Sequence, residues 1–386
     1  MLNANIYGRC LWLSAAIALA GSASAALAQS GYNVVYSFTG GTDGGEPYGN
    51  LIVDGSGNLY GTSYTYGNST NCGAAYELSP SGTLTSLYTF ETYNPDVCRP
   101  QAGLVMDKKG NLYGTTSETG GVFQLDPNGN EIVLHYFSGP EGGNSYAGLL
   151  RIGSNLYGTT ATQSGTGGAV FKLSEKDGFE TILHSFTDGA DGGGPEDNLI
   201  ADKGGNLYGT ASSGGTSGTG VIFKIAPNGM ETVLYSFTGG ADGAYPYSGL
   251  VFDEAGNLYG TTCCGGANAE GNVYKLTPKG VETTLYSFTG DADGSYPLGS
   301  SPLLIDNKGN LYGTTWCDNG NCNGAIFEVS QNGTETTLHT FTGGSDGSEP
   351  YGNLVKTGGY LYGTTTLGGG TGCGGTGCGT IFRVQK

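Results

Sequence analysis

From Asn33 onward the apolar residues fall in runs of about five, parted by Gly, Asn, Asp and Pro. One stretch shows the pattern: "GLVFD" (Gly249–Asp253), "NLYGTT" (Asn257–Thr262), "NVYKL" (Asn272–Leu276) and "TTLYSF" (Thr283–Phe288). The runs are rich in Val, Ile, Tyr, Phe and Thr and are too short for helices, so they predict β-strands. The set recurs. "LYGT" places its tyrosine at Tyr60, Tyr113, Tyr157, Tyr208, Tyr259, Tyr312 and Tyr362, 44 to 53 residues apart. Four antiparallel strands per unit, in seven units, predict an all-β fold, a seven-bladed β-propeller. In the second strand Leu and Tyr are expected to fill blade–blade seams, with the glycine letting neighbouring backbones come close.

The ends predict closure. "NVVYSF" (Asn33–Phe38) reads as a fourth strand with no first three before it, and "TIFRV" (Thr380–Val384) as a third strand with no fourth after it. The N-terminal strand should complete the last blade and remove open sheet edges. The expected organisation is a signal peptide at 1–28 and one propeller domain at 29–386. Its blades fall at about 49–90, 102–137, 147–186, 197–237, 248–288, 300–341 and 352–384 plus 33–38. Strands one to two and three to four join through tight Asp/Asn/Pro/Gly turns such as "DGSGN" and "DPNGN". The other connections are longer, vary more and share one face of the ring, where function is expected.

The phrase running from Tyr235 to Leu276, "YSFTGGADGAYPYSGLVFDEAGNLYGTTCCGG…GNVYKL", resembles the GloVer tandem repeat of secreted bacterial proteins, the choice-of-anchor tandem-repeat family. The resemblance covers essentially all of 31–386. It implies an exported, propeller-like protein and brings no catalytic residues with it.

Charge and cysteines set the compartment and narrow the partners. Arg9 followed by the apolar Cys10–Ala20 and a small-x-small site at Ala26–Ala28 reads as a cleaved secretory signal, so the protein is expected to be secreted, extracellular or periplasmic. No later stretch predicts a membrane span. A net charge of −18 argues against nucleic acid and anionic lipid as partners. Eight cysteines remain after the signal, as suits an oxidising compartment. Cys317 with Cys322 and Cys373 with Cys378 read as local disulfide loops, and Cys72 with Cys98 as a longer pair. Cys263 and Cys264 are adjacent and their state stays open. No histidine lies near a cysteine, so no metal site is expected of them.

Two sets of residues on the long-loop face carry candidate chemistry. Asp43, Asp191, Asp242, Asp293 and Asp346 recur in phrases such as "GGADGAYP". They read as Asp-Gly turn caps, with Ca²⁺ as the ion such oxygens would suit and no other cofactor implied. Tyr245, Tyr296 and Trp316 are flat rings fit to stack on sugars, or to pack beneath glycine-rich loops. Trp316 has no counterpart after the other "YGTT" phrases. His135, His184 and His339 stand where sister repeats have Tyr and read as packing. The leading expectation is a monomeric binding module for extracellular glycan or protein rather than an enzyme. A carbohydrate-active hydrolase or lyase using carboxylates of that face, and a structural surface or matrix protein, are the alternatives. An acid pair unlike its repeat equivalents would favour catalysis.

Overall fold

The computed structural model describes residues 31–67, 71–91, 97–118, 120–137, 143–161, 167–297, 302–317 and 322–386. The expected signal at 1–28 lies outside them.

Blade one is built from Ile52–Val53, Leu59–Ser63, Ala74–Leu78 and Leu84–Thr89, and five blades of the same antiparallel order follow, the sixth ending at Glu335–Thr340. Blade seven takes Val355–Thr357, Tyr360–Leu367 and Thr380–Gln385 from the C-terminal end and Asn33–Ser37 from the N-terminal end, in register Asn33 to Arg383 and Ser37 to Thr380. The ring closes as expected. Each first strand lies at the inner rim, where neighbours meet directly: the Asn353 amide donates to Asn50 Oδ1 at 2.8 Å and Gly148 packs against Asn198.

Every letter of the repeated phrase has a physical task. In blade four Asp202 ends the first strand, and its Oδ1 accepts from the amides of Gly204 (2.8 Å) and Asn206 (3.0 Å). Its Oδ2 accepts from Asn206 Nδ2 (2.7 Å) and the Tyr208 hydroxyl (3.0 Å). Asn and Tyr of "NLYGT" therefore hold the turn before them. The glycine differs from expectation. It makes room for a side chain, because a Cβ on Gly114 would stand 2.5 Å from Cζ of Phe123. The first threonine bridges blades: Thr62 Oγ1 donates to the Ala102 carbonyl (2.9 Å), Thr115 to Ala147 (2.7 Å) and Thr210 to Ser248 (3.1 Å).

The ring admitted by that glycine is part of a chain of aromatics. Phe of each "YSF"-type phrase meets the third-strand aromatic of the next blade, edge-on except in the tilted pair Phe137–Phe171. Phe90–Phe123, Phe186–Phe223, Phe288–Phe327 and Phe38–Tyr76 have centroids 5.0, 4.9, 5.0 and 5.2 Å apart. The hydrophobic core is accordingly a set of seam clusters, such as Tyr259, Val273 and Phe288 against Leu303, Leu311 and Phe327. Burying each such ring contributes about 1.5–3 kcal/mol. A bulge at the same place in each third-to-fourth strand pair, for example between Ile222 and Phe223, leaves Leu234 unpaired against a seam and turns Tyr235 toward the following loop.

Candidate functional site at the channel mouth

The expected disulfides are formed: Cys72–Cys98, Cys317–Cys322 and Cys373–Cys378, with Cys263–Cys264 joined as well. All lie in loops of the long-loop face, and together they point to an extracellular, oxidising setting. No helix among the described residues is long and apolar enough to cross a membrane.

The repeated aspartates sit beside the outermost strands, away from the axis. Asp242 accepts from the Thr238 amide (2.8 Å), Thr238 Oγ1 (2.5 Å) and the Tyr235 hydroxyl (3.1 Å). Asp43 and Asp293 repeat this with Tyr36 (3.0 Å) and Tyr286 (2.8 Å). In Asp191 and Asp346 the tyrosine is replaced by His184 (3.5 Å) and His339 (3.3 Å). His184 and His339 thus stand in for the tyrosine that anchors the loop, whereas His135 faces Glu180 of the next blade at 3.6 Å, and each repeated aspartate faces donors from its own turn. Among the described residues no three His, Cys, Asp or Glu gather as a metal site.

The mouth of the channel is built from a different part of the same loops. Glu46, Arg99, Gly194, Tyr245, Tyr296 and Glu349 each precede a proline and each hold positive φ, between 52° and 62°. The reason is a double clamp. The Glu46 amide donates to Cys378 O of the preceding blade (2.9 Å), while its carbonyl accepts from the Tyr64 amide of its own blade (3.1 Å). Arg99, Gly194, Tyr245 and Tyr296 repeat the pattern. Left-handed backbone of this kind is costly for non-glycine residues and gathers at functional sites.

Two residues beyond Glu46, Arg99, Gly194, Tyr245 and Glu349 stand Tyr48, Gln101, Glu196, Tyr247 and Tyr351, and with Tyr146 of blade three they form a second, inner tier. The corresponding stretch of blade six lies outside the described residues. Tyr48 packs edge-on against both Tyr64 (5.4 Å) and Tyr351 (5.1 Å). Tyr351 reaches across the axis: burial raises its phenol pKa, and the charges of Glu196 and Asp197 on the opposite wall raise it further. Burial likewise raises the carboxyls of Glu46 and Glu349, and the charge of Glu46 adds to the rise at Glu349. Glu349 also receives hydrogen bonds from Trp316 and Thr366. Outward from Glu349 a surface groove of about 530 Å³ runs between blades six and seven, lined by Asn323, Ser345, Ser348, Thr371 and Thr376 among others.

Of the residues singled out in the sequence, Tyr245 and Tyr296 stand on the rim. Trp316 is 9% exposed, packs with Cys263, Cys264, Cys317 and the two tyrosines, and holds Glu349. The five aspartates are not brought together with them. Sequence reasoning missed Glu46, Tyr48, Gln101, Glu196, Asp197 and Glu349. The signal available was the residue before each proline, where Glu, Arg and Tyr alternate although the proline is kept.

These features define a seven-bladed propeller with an acid-rimmed, tyrosine-lined mouth. The profile of the Gloeobacter/Verrucomicrobia repeat matches residues 23–167 and 150–382, and the chain belongs to that family. No curated protein matches it in sequence. Among solved structures it is similar to a catalytically inactive virginiamycin B lyase from Staphylococcus aureus with quinupristin, at 13% identity and TM-score 0.62, covering 92% of this chain and 99% of that one. It is also similar to an oligogalacturonate lyase from Vibrio parahaemolyticus, at 11% identity and TM-score 0.58, covering 88% and 89%. At such identity the likeness is one of fold.

Proposed function

We propose that the protein is a secreted, monomeric binding module, released by cleavage after 1–28, that takes an extracellular glycan on its long-loop face. The chain lies along the groove between blades six and seven and meets the tyrosines of the mouth. The observation that carries this reading is that one residue, Glu349, lines the groove while its neighbour Tyr351 reaches into the mouth, so an extended ligand finds hydroxyl-bearing walls leading to flat rings. Stacking rings flanked by a few polar groups are the usual make-up of such a site. A glycan array on the mature chain tests it. At least one hit is expected, weakened about tenfold by Tyr351→Ala through loss of one ring contact. An array without hits contradicts the proposal. No calcium is required in this reading, so EDTA should leave both binding and Tm unchanged.

One observation favours a second reading, a hydrolase or lyase. Glu46 and Glu349 come from adjacent blades, the charge of Glu46 adds to the rise at Glu349, and both occupy positions held elsewhere by Arg99, Tyr245 and Tyr296. Paired acids with raised pKa are the equipment of general acid–base chemistry. Incubation of polysaccharides with the mature chain, followed for reducing ends and unsaturated products, separates the two. Absence of turnover with retained binding removes the enzyme.

A further inference from the structure

Among the described residues the channel wall breaks the repeat at one place. The residue whose carbonyl accepts the bridging threonine is small in blades two, three and five: Ala102, Ala147 and Ser248. In blade four it is Asp197, whose carbonyl accepts from Thr159 Oγ1 at 3.4 Å. Asp197 is 3% exposed. Its carboxylate lies over Gly249, whose Cβ would meet Oδ1 at 3.2 Å and Oδ2 at 3.3 Å. Oδ1 accepts from the Asn198 amide and the Gly249 amide also acts on the carboxylate, which leaves Oδ2 with no donor at full hydrogen-bond geometry. Gln101, 7% exposed and in the inner tier, has an unpartnered Oε1, and Asn353 at the inner rim has an unpartnered Oδ1. Buried oxygens of this kind call for a donor.

The charge around them is mostly negative, with Arg99 as the rim's one described cation, acting on Glu46. Glu46, Glu196, Asp197 and Glu349 line the mouth and its wall. Among the described residues every Lys and Arg except Arg99 lies in a strand, on the tight-turn side or at the C-terminal end. Arg99 is held by Glu118 at 3.0 Å. Four tyrosine rings complete the inner tier, and ring faces attract cations.

We infer that the mouth selects an ammonium-bearing sugar, a glycan with free amino groups, whose N–H donors satisfy Asp197 and Gln101 while its charge meets Glu196 among the tyrosines. This rests on the glycan-binding reading and narrows it. Three features coincide that a neutral sugar does not need together: a mostly acidic wall whose arginine is paired with Glu118, unpartnered buried acceptors and a tier of tyrosine rings. A polyanionic glycan would face uncompensated repulsion.

The test compares three hexasaccharides by calorimetry at two salt concentrations: fully deacetylated chitohexaose, its N-acetylated counterpart and hexagalacturonate. The deacetylated sugar should bind about tenfold or more tightly than the acetylated one, the size of one charge-assisted hydrogen bond. Its affinity should fall with salt, and hexagalacturonate should bind weakest. Glu196→Gln, at the more exposed acid, should erase most of that preference, and Asp197→Asn should do the same where it folds. Lys279→Ala, on the tight-turn side, should leave the preference intact. Equal affinity for both chitohexaoses, or a preference that survives Glu196→Gln, overturns the amino-sugar inference while glycan binding stands. Binding of neither, together with an empty glycan array, removes both. Tighter binding of hexagalacturonate overturns the inference outright.

Discussion

The two faces of the ring use the same residue type, aspartate, to opposite ends. On the tight-turn side Asp54, Asp107, Asp202, Asp253 and Asp306 each accept from an Asn and a Tyr of the strand that follows. For Asp202 burial pushes the pKa up, but these donors more than offset it and the carboxyl ends below its ordinary value. In the channel, Asp197 has only the backbone amides of Asn198 and Gly249 as donors, and burial drives its carboxyl well above the ordinary range. A carboxylate whose own strand supplies its donors stabilises the fold. One placed in a wall of small residues, with no side-chain donor from a turn of its own, is held there by the rest of the ring and keeps a raised pKa.

That contrast can be attacked from several sides. The largest effect should come from the part shared by both faces, ring closure. Deleting residues 33–38 removes the outer strand of blade seven, and calorimetric unfolding should lose its single cooperative transition. A deletion variant melting like the full chain would falsify closure by that strand. Next in size is Gly114→Val, which drives a branched side chain into Phe123 and should cost about 3 kcal/mol or more in a urea titration. Asp202→Ala should cost about 1–2 kcal/mol, the value of a lost capping side chain, and leave glycan binding unchanged. Loss of binding in that variant would break the division between faces.

The smallest effect is a pH dependence carried by the seams. Burial raises the carboxyls of Glu282 and Glu335 to about 7. Both are raised above their unfolded value, so their contribution to stability is full below about pH 4.5 and is lost as pH rises through about 7. Tm should therefore fall between pH 5 and pH 8, and the pair Glu282→Gln with Glu335→Gln should flatten that slope. A Tm that rises over this range contradicts the assignment.

The fold was legible because the repeat prints the same physical solution seven times. Blade number and closure followed from Tyr60 to Tyr362 and from the orphan phrases at Asn33 and Thr380. The role of the glycine was not legible, since the ring it admits belongs to another strand: Phe123 for Gly114 and Tyr76 for Gly61. The structure separates the repeated aspartates from the mouth. The repeated Asp of "GGADG" drew notice because it recurs, yet recurrence marks a part of the frame. Glu349, Asp197 and Gln101 gave weaker signals because what sets them apart is departure from the repeat. Their meaning depends on which blades stand opposite each other across the axis, which no local phrase encodes. Trp316 stood out as a departure from the repeat, and its ring is sheltered beneath the rim, where it donates a hydrogen bond to Glu349.

The clasp between Asn33–Ser37 and Thr380–Gln385 also carries a consequence for timing. Tyr48 and Tyr351 touch across the junction of blades one and seven, and Asn50 meets Asn353 there. These contacts join residues about three hundred positions apart, so they cannot form until nearly the whole polypeptide has emerged and its two ends have met. A prematurely terminated product would carry most of the blades and none of that junction. The mouth is in this sense a seal of completeness, assembled by the last fastening of the ring.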